Sequence, residues 1–132
     1  MSEKEAGQER DQDQFGIVRS GFSWSEAPAL FPWAADLHDG AAPTAEKLQQ
    51  ISRFTGISGP SVGRAIEFVG MEAAMLCVLI TGQHHSEGQV QRTPEVYFRG
   101  MLKRARDRDL NIGHTLFGRR EKCLEPDGGR TH

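Results

Sequence analysis

Hydrophobic positions along the middle of the chain recur at the spacing of α-helices. Residues 44–55 carry such a pattern, and Gly56 suits the left-handed position that follows a helix. The strongest pattern starts after Ser58, a capping residue, and continues to residue 80. Its apolar positions are Val62, Ile66, Val69, Ala73, Leu76 and Ile80. We therefore predict one long central helix, with Gly70 marking a close helix crossing, followed by a polar loop over residues 82–88.

A further helix is predicted to start at Thr93, because Thr93 can cap it and Pro94 fits its first turn. Its apolar side consists of Tyr97 or Phe98, Met101, Leu102 and Ala105. A turn follows at Asp109. The pattern assigns no element to the short segment after it, over residues 110–118.

The start of the chain has a different character. Residues 1–14 are almost entirely polar, which is typical of disorder, whereas residues 15–42 are rich in aromatic side chains that we expect to pack on the core. A short helix is predicted over Pro32 to His38. Since no alternating strand pattern occurs, we predict an all-α fold, a small orthogonal bundle of about four to five helices. Residues 1–19 form a disordered acidic arm, 20–120 the helical domain and 121–132 a disordered tail.

Charge is divided unevenly along the chain. Residues 1–40 hold three basic and eight acidic residues, whereas residues 92–122 hold nine basic and four acidic ones. This asymmetry indicates an anionic partner for the C-terminal third, or an acidic arm that folds back on it. The candidate DNA contacts are Arg99, Lys103, Arg104, Arg106 and Arg108. The alternative is a solvated helix face, partly paired with Asp107 and Asp109. Tyr97 and Phe98 could stack on bases, although their spacing places at least one in the core.

The sequence carries no local signature of a catalytic triad, a carboxylate pair or a phosphate-binding glycine loop. We therefore expect no enzyme activity, no cofactor and no small-molecule substrate. His84 and His85 lie near Glu87, but adjacent histidines in a loop point in different directions, so no metal site is predicted.

The two cysteines do not indicate a disulfide framework. Cys77 lies in an apolar run and Cys123 in a polar tail. The sequence has neither a secretion signal nor an apolar run long enough to span a membrane, so a bacterial cytoplasmic location is expected.

Four stretches of the C-terminal third identify a family: Thr93-Pro94-Glu95-Val96-Tyr97-Phe98-Arg99-Gly100-Met101, Arg104-Ala105, Asp109-Leu110-Asn111-Ile112 and Leu116-Phe117-Gly118. They resemble the C-terminal domain of the replication protein C (RepC) family of plasmid replication initiators. Upstream, Glu26-Ala27-Pro28-Ala29-Leu30-Phe31, Thr55-Gly56-Ile57-Ser58 and Gly70-Met71-Glu72-Ala73-Ala74 resemble it too. The signature positions are Pro94, Tyr97, Arg99, Ala105, Leu110, Phe117 and Gly118.

This resemblance implies a role in plasmid replication initiation, without catalysis. Glu95 and Val96 stand where the family usually has two glycines. Family members are also much longer and have an N-terminal winged-helix region associated with origin binding, so the chain resembles an isolated C-terminal domain. The implied partners are plasmid DNA, bound without sequence specificity, a second copy of the chain, or full-length replication initiator.

Two other hypotheses remain. The chain could be a protein-interaction or regulatory module that binds no DNA, or a truncated remnant that still folds.

Overall fold

The computed structural model describes residues 15–37, 40–88 and 93–124. These ranges contain no strand, and their six α-helices are α1 (Ala27–Leu30), α2 (Ala45–Thr55), α3 (Gly59–Val69), α4 (Met71–Ser86), α5 (Pro94–Arg106) and α6 (Ile112–Leu124). Two short 3-10 helices cover Trp24–Glu26 and Pro32–Ala34. The all-α prediction is confirmed, with slightly more helices than expected. The predicted disorder of residues 1–14 and 125–132 lies outside the described residues.

Helix α4 is the centre of the molecule. Every residue from Ala73 to Gln83 is buried, so this helix has no side that faces solvent. Helices α2, α3, α5 and α6 and the 3-10 helix at Pro32–Ala34 all pack against it. An α-helix that is apolar around its whole circumference is stable in water only when neighbours cover it on every side. Within α4, burial raises the pKa of the Cys77 thiol to about 12.

The prediction of one helix from Ser58 to Ile80 is wrong, because the chain breaks at Gly70. This residue has φ 94° and ψ 163°, a conformation that only glycine adopts readily. Its amide donates to the Ile66 carbonyl and closes α3, while its carbonyl accepts the Ala74 amide and opens α4. The break allows α3 to stay half-exposed while α4 is buried from Ala73 to Gln83. One straight helix could not meet both conditions.

The loop predicted over residues 82–88 is also wrong, since α4 continues to Ser86. Gly82 lies inside the helix. A glycine is needed at this position because the indole of Trp33 packs directly on it, and a Cβ atom there would overlap the ring. The Trp33 Nε1 donates to the Leu79 carbonyl at 2.8 Å, and its ring stacks on Phe54. A glycine in a polar stretch therefore marks a contact site rather than a helix end.

The aromatic N-terminal segment packs on the core as predicted. Phe15, Ile17 and Phe31 are buried, so two residues that the sequence assigned to the disordered arm, Phe15 and Ile17, contribute to the core. The helix predicted over Pro32 to His38 is shorter: the 3-10 helix ends at Ala34 and a turn follows, while His38 lies outside the described residues.

The chain from Ile112 onward forms a helix that the sequence reading missed. The Asn111 side chain accepts the His114 amide at 2.9 Å, as an N-capping residue does. Helix α6 runs to Leu124 and so includes residues 121–124 of the predicted tail. Among residues 15–37, 40–88 and 93–124, none of the helices combines the length and the apolar character needed to cross a membrane.

Helix α2 starts and ends, and helix α3 starts, where the sequence predicts. Thr44 caps α2 by accepting the Lys47 amide, and Gly56 ends it with φ 97°. Ile57 is buried, and Ser58 then caps α3 by accepting the Ser61 amide. Three residues thus connect two helices of 11 residues each.

We expect Gly82→Ala to lower the free energy of unfolding by about 1–3 kcal/mol, because the added methyl group displaces the Trp33 indole. The matched control is Gly100→Ala, a helix position at which a Cβ atom meets nothing. That variant gains about 1 kcal/mol from helix propensity. Urea denaturation measures both, and equal stabilities of the two variants would contradict the packing role of Gly82.

Candidate functional site

Helix α5 carries the predicted basic residues and begins where the sequence predicts. Thr93 caps it by accepting the Val96 amide at 3.2 Å. Its inner side is formed by Phe98, Met101, Leu102 and Ala105, all buried. Phe98 is therefore a core residue and cannot stack on a base. Tyr97 is half-buried, and its hydroxyl lies 2.9 Å from Nδ1 of His84.

The five basic candidates do not form a single surface. Arg99, Lys103 and Arg106 lie four and three residues apart, within an arc of about 60° on the outside of α5. Arg104 points to another side, where its Nη2 donates to the Asp109 carbonyl at 3.2 Å. Arg108 follows the helix end. The structure thus separates a row of three residues, which we call the basic row (Arg99, Lys103 and Arg106), from the other two.

Arg108 is placed by the way α5 ends. It has φ 60°, a left-handed conformation that glycine usually supplies at this position. The Arg108 amide donates to the Ala105 carbonyl at 3.1 Å, and the Asp109 amide to the Arg104 carbonyl at 2.7 Å. These bonds satisfy the last carbonyls of α5, at a conformational cost of about 1 kcal/mol.

The side of α5 that carries Glu95, Leu102 and Arg106 lies beside helix α3. At one end, the Glu95 carboxylate of α5 accepts hydrogen bonds from the Ser58 amide (2.7 Å) and the Ser61 hydroxyl, at the start of α3. Towards the other end, residues of both helices line one groove of about 340 Å³: Arg64, Glu67 and Phe68 of α3 with Leu102 and Arg106 of α5. The two helices therefore run side by side in the same direction, which brings Arg64 close to Arg106.

Electrostatics at the start of α3 are governed by Glu95. Burial raises the pKa of this carboxyl group, but hydrogen bonds from Ser61 and Ser58 and the charge of Arg99 outweigh it, so its pKa lies below the usual value of 4.5. Arg99 Nε is 3.3 Å from Glu95 Oε2, so this member of the basic row is paired. The sequence analysis noted Glu95 only within the family resemblance, as a departure from the usual pair of glycines. Its bonds to Ser58 and Ser61 were missed because these residues are far apart along the chain.

Two arginines of α6 hold distant parts of the domain together, and the sequence reading assigned them no role. Arg119 is buried; its Nε donates to the Leu30 carbonyl at 3.1 Å and its Nη1 to Glu87 at 3.0 Å. Arg120 pairs with Glu26 through two nitrogens, at 2.9 and 3.2 Å. Burial raises the pKa of both carboxyl groups, but their hydrogen bonds and the arginine charges outweigh it, so both pKa values are lowered.

The signature residues divide between core and surface. Ala105 and Leu110 are buried and Pro94 occupies the first turn of α5, whereas Phe117 and Gly118 are exposed on α6. Tyr97 and Arg99 make the contacts already described. The signature residues therefore do not form one surface, and several of them serve the packing of α5 and α6.

His84 and His85 lie in the last turn of α4, not in a loop. In the described part of the chain, no group of three or more His, Cys, Asp or Glu side chains is placed to hold a metal ion. His84 instead contacts Tyr97, and its pKa is lowered, mainly by burial.

We expect Glu95→Gln to lower the free energy of unfolding by about 1.5–3 kcal/mol near neutral pH, because the charged acceptor at the start of α3 is lost. A carboxyl group with a lowered pKa stabilises the fold above its unfolded value of 4.5, and this contribution disappears as pH falls through its folded pKa. The difference between variant and wild type should therefore shrink in acid.

Urea denaturation at neutral and at acidic pH measures this difference. The matched control is Glu121→Gln, which changes an exposed residue of α6. This substitution should alter the free energy of unfolding little at either pH. A Glu95→Gln variant as stable as Glu121→Gln at neutral pH would refute the role given to Glu95.

Comparison with known proteins gives one finding. Residues 22–122 match the family model described as the replication protein C C-terminal region. The search of curated proteins and the search of solved structures gave no match. The matched residues include helices α1 to α5 and most of α6, and they make up well over half of the chain. The chain therefore belongs to the family of the replication protein C C-terminal region.

Proposed function

We propose that this domain acts in plasmid replication initiation without catalysis, in the bacterial cytoplasm, by laying its basic row against the DNA phosphate backbone. The observation that carries this proposal is the position of Lys103 and Arg106. Both are exposed, lie on one side of α5, and make no ion pair with any residue of the described ranges. Unpaired arginine and lysine side chains bind DNA phosphates favourably, because binding releases the counterions that are condensed on the DNA.

Four other basic residues of the C-terminal third support this choice of surface, because their side chains are engaged elsewhere, whereas Arg108 is exposed beyond the end of α5. Arg119 and Arg120 are bound to carboxylates and carbonyl groups within the domain, and Lys122 lies 3.8 Å from Glu87. Arg104 donates to a backbone carbonyl. Lys103 and Arg106 therefore remain for a partner on one side of α5, and Arg64 of α3 lines the same groove as Arg106.

A salt titration of binding to a DNA duplex tests the proposal. Lys103→Gln with Arg106→Gln should weaken binding at low salt and reduce the slope of log affinity against log salt concentration by about 2, since each lost phosphate contact contributes about 0.9. The control, Arg104→Gln with Arg108→Gln, removes the same charge from other sides and should change the slope much less. Equal effects of the two pairs, or no duplex binding by the wild type, would refute the proposal.

A second candidate function is contact with protein, either a second copy or full-length replication initiator. Phe117 favours it, because this signature residue of α6 is 52% exposed. Large aromatic side chains supply much of the binding energy where they are buried between proteins.

Sedimentation over a concentration series measures self-association. We expect wild type to associate and Phe117→Ser to remain monomeric, with an unchanged circular dichroism spectrum because the side chain lies outside the core. A wild type that stays monomeric and does not bind full-length initiator would exclude this function.

A further inference from the structure

We propose that helices α2 and α3 form a helix-turn-helix and that α3 enters the major groove of duplex DNA to contact base edges. This inference deepens the proposed function and rests on it: the basic row supplies affinity without sequence preference, whereas α3 would supply selectivity. None of the five sequence-predicted DNA contacts lies on α3. The argument depends on the turn, on the support of α3, and on its exposed side chains.

The connection between the two helices has the length and the residue types of this motif. Helix-turn-helix units join two helices by three or four residues, often with glycine, and the second helix reads the groove. Here Gly56, Ile57 and Ser58 make the connection. The Gly56 and Ile57 amides both donate to the Ser52 carbonyl at 2.9 Å, Ile57 inserts into the core, and Ser58 caps α3.

Helix α3 is held firmly on its inner side. Ser61, Val62 and Ala65 are buried, and α3 packs against α2, α4 and α5. The Glu95 carboxylate fixes the start of α3 through the Ser58 amide and the Ser61 hydroxyl. A helix that reads base edges must keep its position when it meets the duplex, and this packing provides that rigidity.

The outer side of α3 suits close approach to a groove. Pro60, Arg64, Glu67 and Phe68 are exposed, and Gly63 is partly so. Gly63 has no packing reason to be glycine, since a Cβ atom there would meet nothing. Small residues in the first two turns allow the helix backbone to approach the bases. The Arg64 side chain has no ion-pair partner among the residues that the structure describes, and arginine binds guanine O6 and N7 through two hydrogen bonds.

Cations of two neighbouring helices lie next to α3, one near its start and one further along its exposed side. Arg53 is exposed in the last turn of α2 and lines a pocket with Ser58 and Gly59, at the start of α3. Arg106, on α5, shares a groove with Arg64 and Glu67 further along α3. The exposed helix is thus bordered by cations from two different elements, and this complementarity selects duplex DNA as its occupant.

Selection from a pool of duplexes with a randomised central segment, using the full chain, tests the inference. We expect wild type to enrich a defined sequence containing guanine and to bind it more tightly than a scrambled duplex at physiological ionic strength. Arg64→Ala should bind the selected duplex about 5- to 150-fold more weakly, the range for losing one arginine–guanine pair, and the scrambled duplex only slightly more weakly.

A second pair of variants makes the test independent of Arg64. Gly63→Glu places a carboxylate on the outer side of α3 without a steric clash, and Gly100→Glu makes the same change on a side of α5 away from α3. Both should keep a helical circular dichroism spectrum, since glutamate favours helices over glycine. Gly63→Glu should weaken duplex binding at least tenfold more than Gly100→Glu.

Three results would overturn the inference, and they separate it from the proposed function. Duplex binding with no enriched sequence refutes base contact and leaves the phosphate contact of the basic row standing. If Arg64→Ala loses the same affinity for the selected and the scrambled duplex, Arg64 contacts phosphate and not a base. If the two glutamate variants weaken duplex binding equally, α3 is not part of the interface. No binding of any duplex by the wild type refutes both proposals.

Discussion

The burial of helix α4 on all sides is the constraint on which the rest of the structure depends. From Ala73 to Gln83 the helix offers no face to water, so every neighbouring element must present an apolar surface to it. One polar group on this helix has its partner within the core, since the Thr81 hydroxyl lies 3.5 Å from the Met101 sulfur. Because α2, α3 and α5 share this support, their positions relative to one another are fixed by side-chain packing.

The first and last described segments are joined by polar contacts as well as by their packing on the core. Arg120 binds Glu26 and the Ser20 carbonyl, and Arg119 binds the Leu30 carbonyl and Glu87. These bonds join α6 to the N-terminal segment and to the end of α4. Part of the charge asymmetry along the sequence therefore serves the fold, as in the pairing of Glu26 with Arg120. The exposed cations of α2, α3 and α5, among them Arg53, Arg64 and Arg106, are the charges that bear on a partner.

How much the sequence predicts follows from the range of each interaction. The starts of α2 and α5 were predictable because their caps, Thr44 and Thr93, act on residues three positions away. The break at Gly70 was not, since the apolar spacing continues across it and only the different surroundings of α3 and α4 require two helices. Gly82 was misread for a similar reason: its partner, Trp33, is distant in sequence.

The candidate site shows the same limit. Periodicity placed the basic residues on the polar side of α5, and the four-residue spacing of Glu95 and Arg99 within that helix fits their ion pair. It could not show that Glu95 reaches Ser58 and Ser61 or that Arg64 lies near Arg106. Those facts depend on α3 and α5 lying side by side on α4.

The composition of α3 shows how support and exposure combine. An exposed glycine inside a helix costs about 1 kcal/mol relative to alanine, and Gly63 has free space where a methyl group would fit. The packing of Val62 and Ala65 against the core, together with the cap at Ser58, keeps α3 helical despite this cost. A helix stabilised from its inner side is free to carry small residues outside, where they allow its backbone to approach a partner closely. The buried helix α4 thus makes the exposed surface of α3 both rigid and accessible, which is the physical requirement for reading base edges in a groove.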